Sequence, residues 1–317
     1  MAARTWIAVV LGCAVWFVYI KWFAPIPPPV APQPQQTTAQ VQVDPKSPIT
    51  EPAQGVFAAV PEGNTLLGFS DLKQEVKFSA AGGKIASITL PEYRQTIKKD
   101  SDAIHTISPS ENNQALGTYF SNPELAELSK AEYVLSDKGP TKVFSAQRGT
   151  VSIRKEYSRG TTPFSLTSTI TIESKDSKKD LGYLMIPVGG NNLVHDINVP
   201  IQSWEVVWDQ NDKVSRVTVD SIEANEVHQG NTRWLAFGNR YFATTIVNKS
   251  ETNPDVVVGS EGVFKGGYFR FPIRLKEGKN SATYQIDIYS GPKITEQLES
   301  VPGMKALIDY GMFSSLA

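Results

Sequence analysis

The 317-residue chain carries 31 Lys and Arg against 32 Asp and Glu, a formal net charge of -1, without the basic excess expected of a nucleic-acid binder. Hydrophobic residues at 40% and charged residues at 20% exclude disorder along the whole length and supply enough apolar material for a real core. The single cysteine, Cys13, excludes an intrachain disulfide, and His105, His195 and His228 lack ligand spacing, so neither a metal nor another cofactor is expected.

Residues 1–24 read as a transmembrane anchor. After Arg4 the chain runs uncharged from Thr5 to Ile20 and, with Lys21 snorkelling, continues to Ala24, roughly the 20 residues that span a hydrocarbon core as a helix. Trp6 at one end and Tyr19 and Trp22 at the other fall where interfacial aromatic belts sit. A cleaved signal peptide would need an A-x-A-like site, but Pro25, Pro27, Pro28 and Pro29 crowd that place. The apolar run continues past Cys13, which argues against a lipidated cysteine opening a polar tether. Arg4 lies on the short side, and no Lys or Arg occurs between Lys21 and Lys46, so the amino terminus is expected in the cytoplasm and the rest outside.

Residues 25–54 form a proline-rich tether. The stretch from Pro25 to Pro52 holds nine of the 21 prolines, a composition that extends rather than packs.

From 55 to 291 the dominant period is two. Phe164, Leu166, Ile170 and Ile172 share one face, as do Phe269, Phe271, Ile273 and Leu275, and again Tyr284, Ile286 and Ile288. Weaker strands are predicted at 74–80, 84–90, 131–136, 151–158, 214–222 and 242–247, punctuated by turn clusters such as SDKGP, SRGTTP, PVGGNN and KEGKN. Glu173 to Asp180, with mixed charges, reads as a solvated hairpin tip. One short helix is expected after Ser121, with Pro123 in its first turn. The sum is an all-β domain, one large antiparallel sandwich. Trp204, Trp208 and Trp234 are expected in its core.

Catalytic motifs are missing: the sequence has no G-x-S-x-G, Walker A, G-x-G-x-x-G or H-E-x-x-H, and no catalytic residue is assigned. Glu226 and His228, two apart, would share a strand face and offer an acid and a base. The blander reading is a solvated pair at a loop edge, because two titratable residues without a third partner seldom make a site.

Residues 292–317 are expected to form linking amphipathic helices. Pro292 is placed for a helix start, Ile294, Leu298 and Val301 recur at helical spacing, Pro302-Gly303 breaks the helix, and Met304, Leu307 and Ile308 resume the stripe. Such a stripe packs under the sandwich or lies in a membrane interface. Ile294, Leu298, Met304, Leu307, Ile308, Met312 and Phe313 are the candidate interface residues.

Four segments in order behind the anchor, SAAGGKIASITLPEYR (79–94), WLAFGNRYFATTIV (234–247), YSGPKITEQL (289–298) and the terminal DYG (309–311), resemble the YidC-type bacterial membrane protein insertases over nearly the whole chain. The resemblance implies a periplasmic super-sandwich similar in fold to sugar-mutarotase domains. It also implies an inner-membrane location and partnership with the Sec translocon, its accessory periplasmic subunits, nascent inner-membrane proteins and the lipid bilayer. In that family the insertion chemistry belongs to five further helices, one bearing a buried arginine. None of these is present here, and the arginine has no counterpart at Arg4, Arg240 or elsewhere. The resemblance places Asp309–Gly311 at the join to a further span and makes Met312, Phe313 and Leu316 its first residues. The competing reading is a membrane-tethered sugar-binding or sugar-epimerising sandwich with Glu226 and His228 at its cleft. A third is an envelope protein that only spaces other parts.

Overall fold

A computed structural model describes residues 57, 65–98, 100–109, 113–176, 180–190, 204–261, 264–275, 278 and 280–308. The expected anchor, tether, Met312 and Phe313 lie outside the described residues, as does His195. The first half of the domain runs β1 (Thr65–Ser70), β2 (Glu75–Ser79), β3 (Lys84–Arg94), β4 (Ala103–Ile107), β5 (Tyr119–Phe120), the single-turn helix α1 (Pro123–Ala126), β6 (Val134–Lys138), β7 (Thr141–Arg148), β8 (Val151–Arg159) and β9 (Ser165–Ser174). There follow β10 (Asp180–Gly190), β11 (Glu205–Gln210), β12 (Lys213–Thr218), β13 (Glu226–His228), β14 (Thr232–Gly238), β15 (Phe242–Asn248), β16 (Asp255–Glu261), β17 (Phe264–Arg274) and β18 (Ser281–Pro292). The last described elements are α2 (Thr295–Leu298) and a 3-10 turn at Met304–Leu307.

The strands form one nine-stranded sheet, β12-β11-β14-β15-β18-β9-β8-β7-β6, and two smaller ones, β1-β2-β3-β4 and β13-β16-β17-β10-β5. Pairing is antiparallel throughout, as between β8 and β9 and between β10 and β17. The smaller sheets share the inner face of the large one. Phe78 of β2 packs on Phe144 and Tyr157 at 5.4 and 4.9 Å between ring centroids, while a Cβ on Gly267 of β17 would meet Val206 and Leu235. This is the expected all-β super-sandwich.

Side-chain alternation explains the large sheet. Along β9 the residues Leu166, Ser168, Ile170 and Ile172 are buried and the intervening Ser165, Thr167, Thr169 and Thr171 are partly open. Each buried apolar residue removes area from water at roughly 25 cal/mol per Å2. Two lysines are buried near each other: Lys155, on the inner face of β8, is fully buried, donates to the Gly82 carbonyl and lies 4.6 Å from the Tyr133 ring centroid. Lys84 donates to the Asn113 carbonyl at 2.6 Å. Burial lowers the Lys84 ammonium to about 8, and burial with Lys84 nearby holds Lys155 well below its ordinary value. The Gly82-Gly83 turn is fixed by this cluster. Gly83 has φ +52 and a Cβ there would meet the Tyr133 ring at 2.8 Å, so only glycine fits.

Several expectations are corrected. Glu173–Asp180 is not a hairpin tip: β9 pairs with β8 and β18, whereas β10 pairs with β17 and β5, so this stretch carries the chain from one sheet to another. Pro187–Gly190 of PVGGNN belong to β10 rather than a turn. Pro292 does not start a helix; it closes β18, paired with Phe242. α2 begins at Thr295 and is a single turn, with Leu298 inward and Glu296 outward.

Candidate functional site

The outer face of the nine-stranded sheet has two halves. On β11, β14 and β15 the outward side chains would meet solvent in a bare sandwich, yet Val207, Trp234, Ala236, Thr245 and Val247 are buried. The cover is the segment after β18. Leu298 of α2, with Met304 and Leu307 of the 3-10 turn, joins the same apolar core and is almost fully excluded from solvent.

Polar contacts fix this cover in register. Trp234 Nε1 donates to the Pro302 carbonyl at 3.1 Å, and Arg216 donates to the Ala306 carbonyl at 2.7 Å. Between them sits Gly303, with φ +84; a Cβ there would stand 2.6 Å from Asp209 Oδ2 and 3.3 Å from Trp234 Nε1. Asp209 is buried on β11 and pairs with Arg233 Nε at 3.3 Å. Burial pushes its carboxyl up against the pull of that guanidinium, and Asp212 adds to the rise. Four-residue helices have no stability of their own, so the segment keeps its shape only by docking. It acts as a latch.

The latch has a direction. Asp209, Trp234 and Val247 lie side by side across the sheet, and so do Val207, Ala236 and Thr245, with Arg216 beside Val207. The chain leaves β18 beside Phe242, reaches the first row at Pro302-Gly303, and returns to the second at Ala306. That return covers two residues of strand, roughly 7 Å, toward the end at which β18 finished.

The other half of the outer face, on β7, β8, β9 and β18, is open and polar. One cleft of about 430 Å3 is lined by Glu132, Gln147, Arg154, Thr171 and Glu173 among others. A second, of about 420 Å3, takes residues of both β17 and β18 and so belongs to neither face alone; Lys249, Glu251, Arg274, Thr283 and Gln285 are among its lining. Among the described residues no group of three His, Cys, Asp or Glu is placed to hold a metal.

Glu226 and His228 do share a face of β13, with His228 Nε2 3.7 Å from Glu226 Oε2. They sit on an edge strand of the five-stranded sheet, beside Val258 and Val256, and line neither cleft. The His228 ring packs against Trp208 at 4.7 Å, and its Nε2 makes no hydrogen bond among the described residues. An imidazole whose Nε2 is buried without a hydrogen bond is poorly placed to act as a general base through that atom.

The candidate interface residues divide. Leu298, Met304 and Leu307 are buried in the same apolar cluster as the residues of β14 and β15. Ile294 remains on the surface and Ile308 is half-buried. Trp204, Trp208 and Trp234 are all buried, as expected. Asp209, Arg216 and Arg233 went unremarked in the sequence; the only hint is a carboxylate at the end of the apolar run EVVWD.

Comparison with known proteins gives the same fold region a family. The profile of the YidC periplasmic domain matches residues 70–317. A membrane protein insertase YidC from Pelobacter propionicus is 22% identical over 335 aligned positions, covering 100% of this chain and 61% of the relative. Another from Herminiimonas arsenicoxydans is 26% identical over 117 positions, 35% of this chain and 20% of the relative. The chain thus spans about three-fifths of the length of the first relative. Among solved structures, a galactose mutarotase related enzyme from Lactobacillus acidophilus aligns over 71% of this chain and 96% of its own, with a TM-score of 0.45 and 8% identity.

Proposed function

Because the chain belongs to the YidC periplasmic domain family, we propose that it is the anchor and periplasmic region of a membrane protein insertase and chaperone of the bacterial inner membrane. In this reading residues 1–24 anchor the chain with the amino terminus in the cytoplasm, 25–54 tether, 55–291 form the periplasmic sandwich and 292–317 link it to a further membrane span. The role is partner binding and mounting, not catalysis. The Sec translocon, its accessory periplasmic subunits and nascent inner-membrane proteins are the proposed partners, the last through helices outside this chain.

The observation that carries the reading is the latch. A segment leading toward a membrane span is pinned to the sheet by Leu298, Met304, Leu307, Trp234 and Arg216, so displacement of the domain is passed to that span instead of being lost in a loose linker. The open polar half of the same sheet supplies a surface for a partner. The test is affinity purification of the full-length protein from detergent-solubilised inner membranes. Sec components should co-purify with it, and less so when Arg154→Glu and Glu173→Lys reverse charges on the open face. Recovery of no Sec component would refute the partnership, and undiminished recovery from the variant would move it to another face.

A further inference from the structure

Six large apolar side chains are markedly exposed among the described residues: Leu72, Ile97, Val134, Val227, Tyr241 and Ile294. Four of them fall at one end of the sandwich. Leu72 is in the β1–β2 turn and Ile97 in the β3–β4 loop, and in an up-and-down meander these two connections lie at the same end. Asp71, beside Leu72, pairs with Arg159 at the finish of β8 at 3.1 Å, and Gln74 donates to the Ser290 carbonyl near the finish of β18 at 2.9 Å. Tyr93, four residues before Ile97, packs on Phe242 at 5.5 Å, and Phe242 follows Tyr241. Lys293, before Ile294, donates its backbone N–H to the Tyr241 carbonyl at 2.8 Å. Val134 lies away from this end, because its neighbours Ser145 and Arg154 are four and five positions from the ends of β7 and β8 there.

We propose that this end of the sandwich is a lipid-docking surface, with Leu72, Ile97, Tyr241 and Ile294 entering the interfacial layer of a bilayer. Leu72 and Ile97 are 84% and fully exposed, each alone at a loop tip. Separate apolar tips suit a soft bilayer, whereas a protein partner is met by a packed, continuous patch. Tyr241, with an apolar body and a polar hydroxyl, has the character of interfacial aromatics. The latch returns the chain from Pro302 to Ala306 toward this same end, so the last described residues run toward the surface. Charges there are mixed: Lys73, Arg94, Lys98, Arg240 and Lys293 against Asp71, Glu92, Asp100 and Asp102. Docking therefore rests on apolar insertion, and salt has little effect on it.

The inference rests on the reading that residues 1–24 anchor the chain. The test places a spin label at Leu72→Cys, Ile97→Cys, Tyr241→Cys, Ile294→Cys or Val134→Cys in a Cys13→Ser background. The 317-residue chain is reconstituted in vesicles of phosphatidylethanolamine and phosphatidylglycerol. The expected result is that the first four labels collide more with oxygen than with a water-soluble nickel chelate, that Val134→Cys shows the reverse, and that added salt changes neither. If the chain floats with the vesicles but all five labels are equally open to the nickel chelate, the docking surface is refuted and the anchor stands. If the chain does not float, the anchor reading fails and takes the inference with it. Protection seen only in native membranes, not in pure lipid, would assign the surface to a protein partner and overturn the proposal.

Discussion

Leu298→Ala tests whether the segment after β18 is a latch or an ordinary part of the core. Leu298 is completely buried, and its helix is a single turn that holds together only by docking. Removing a buried leucine side chain costs about 3 kcal/mol, from lost transfer energy and the cavity left behind. If the segment opens by itself, that cost falls on the local equilibrium, and each 1.4 kcal/mol is a factor of ten. Amides of 298–308 that are protected by the segment's own turns should then exchange about 100-fold faster, while those of β14 and β15 keep their protection. Hydrogen exchange read by mass spectrometry on the chain in lipid nanodiscs measures both at once. Equal acceleration throughout the domain would show that the segment is one cooperative unit with the sandwich. No acceleration would show that Leu298 does not hold it. Either result refutes the latch.

Gly303→Ala should release the same amides, because φ +84 costs an L-residue about 1 kcal/mol or more and the new methyl meets Asp209 at 2.6 Å; unchanged exchange would disprove that close approach. Lys84 has its folded value lowered to about 8 from 10.5, so the unfolded chain binds more protons and stability rises with pH between those values, by about 2 kcal/mol from pH 8 to 10. Lys155, also held below its ordinary value by burial, adds to that rise, whereas tyrosines held protonated by burial, Tyr133 and Tyr157, reverse it above pH 10. Urea unfolding at fixed detergent should show a shallower pH slope in Lys84→Met, and an unchanged slope would contradict the assignment. His228→Ala should cost only about 1 kcal/mol, its packing on Trp208, and a panel of sugars should not move the melting temperature of either form; a sugar-induced rise lost in the variant would revive a carbohydrate site.

Strands with one wet face were more legible in the sequence than strands with two dry faces. β8 and β9 alternate because water meets one side, and the period-two signal found both. β14 and β15 are buried on both faces, since the latch covers the outside; β15 gave only a weak strand signal at 242–247, and β14 only its aromatic content. β10 is the sharper case. Its outer face carries Met185, which packs with Phe57, Tyr119 and Tyr268, so LMIPVGG shows no alternation and its glycines looked like a turn. The β11–β12 hairpin was hidden for another reason: Asn211 and Asp212 both adopt positive φ without a glycine. The Glu226–His228 pair was found from spacing alone, but spacing carries no information about a third partner. Helical spacing likewise located Leu298, Met304 and Leu307 as one apolar stripe, and only the fold says that the stripe faces a sheet.

Phe57 marks where the chain enters this domain, and its ring sits in a box of Tyr119, Phe264 and Tyr268 at 4.8 to 5.0 Å on the outside of the five-stranded sheet. The other attachment, at Leu298 to Leu307, is on the outside of the nine-stranded sheet. A pull between the two therefore loads the five-stranded layer against the nine-stranded one through the core, while β18 lies inside its sheet between β15 and β9. Tension applied at these two points acts on the sandwich as shear between its layers.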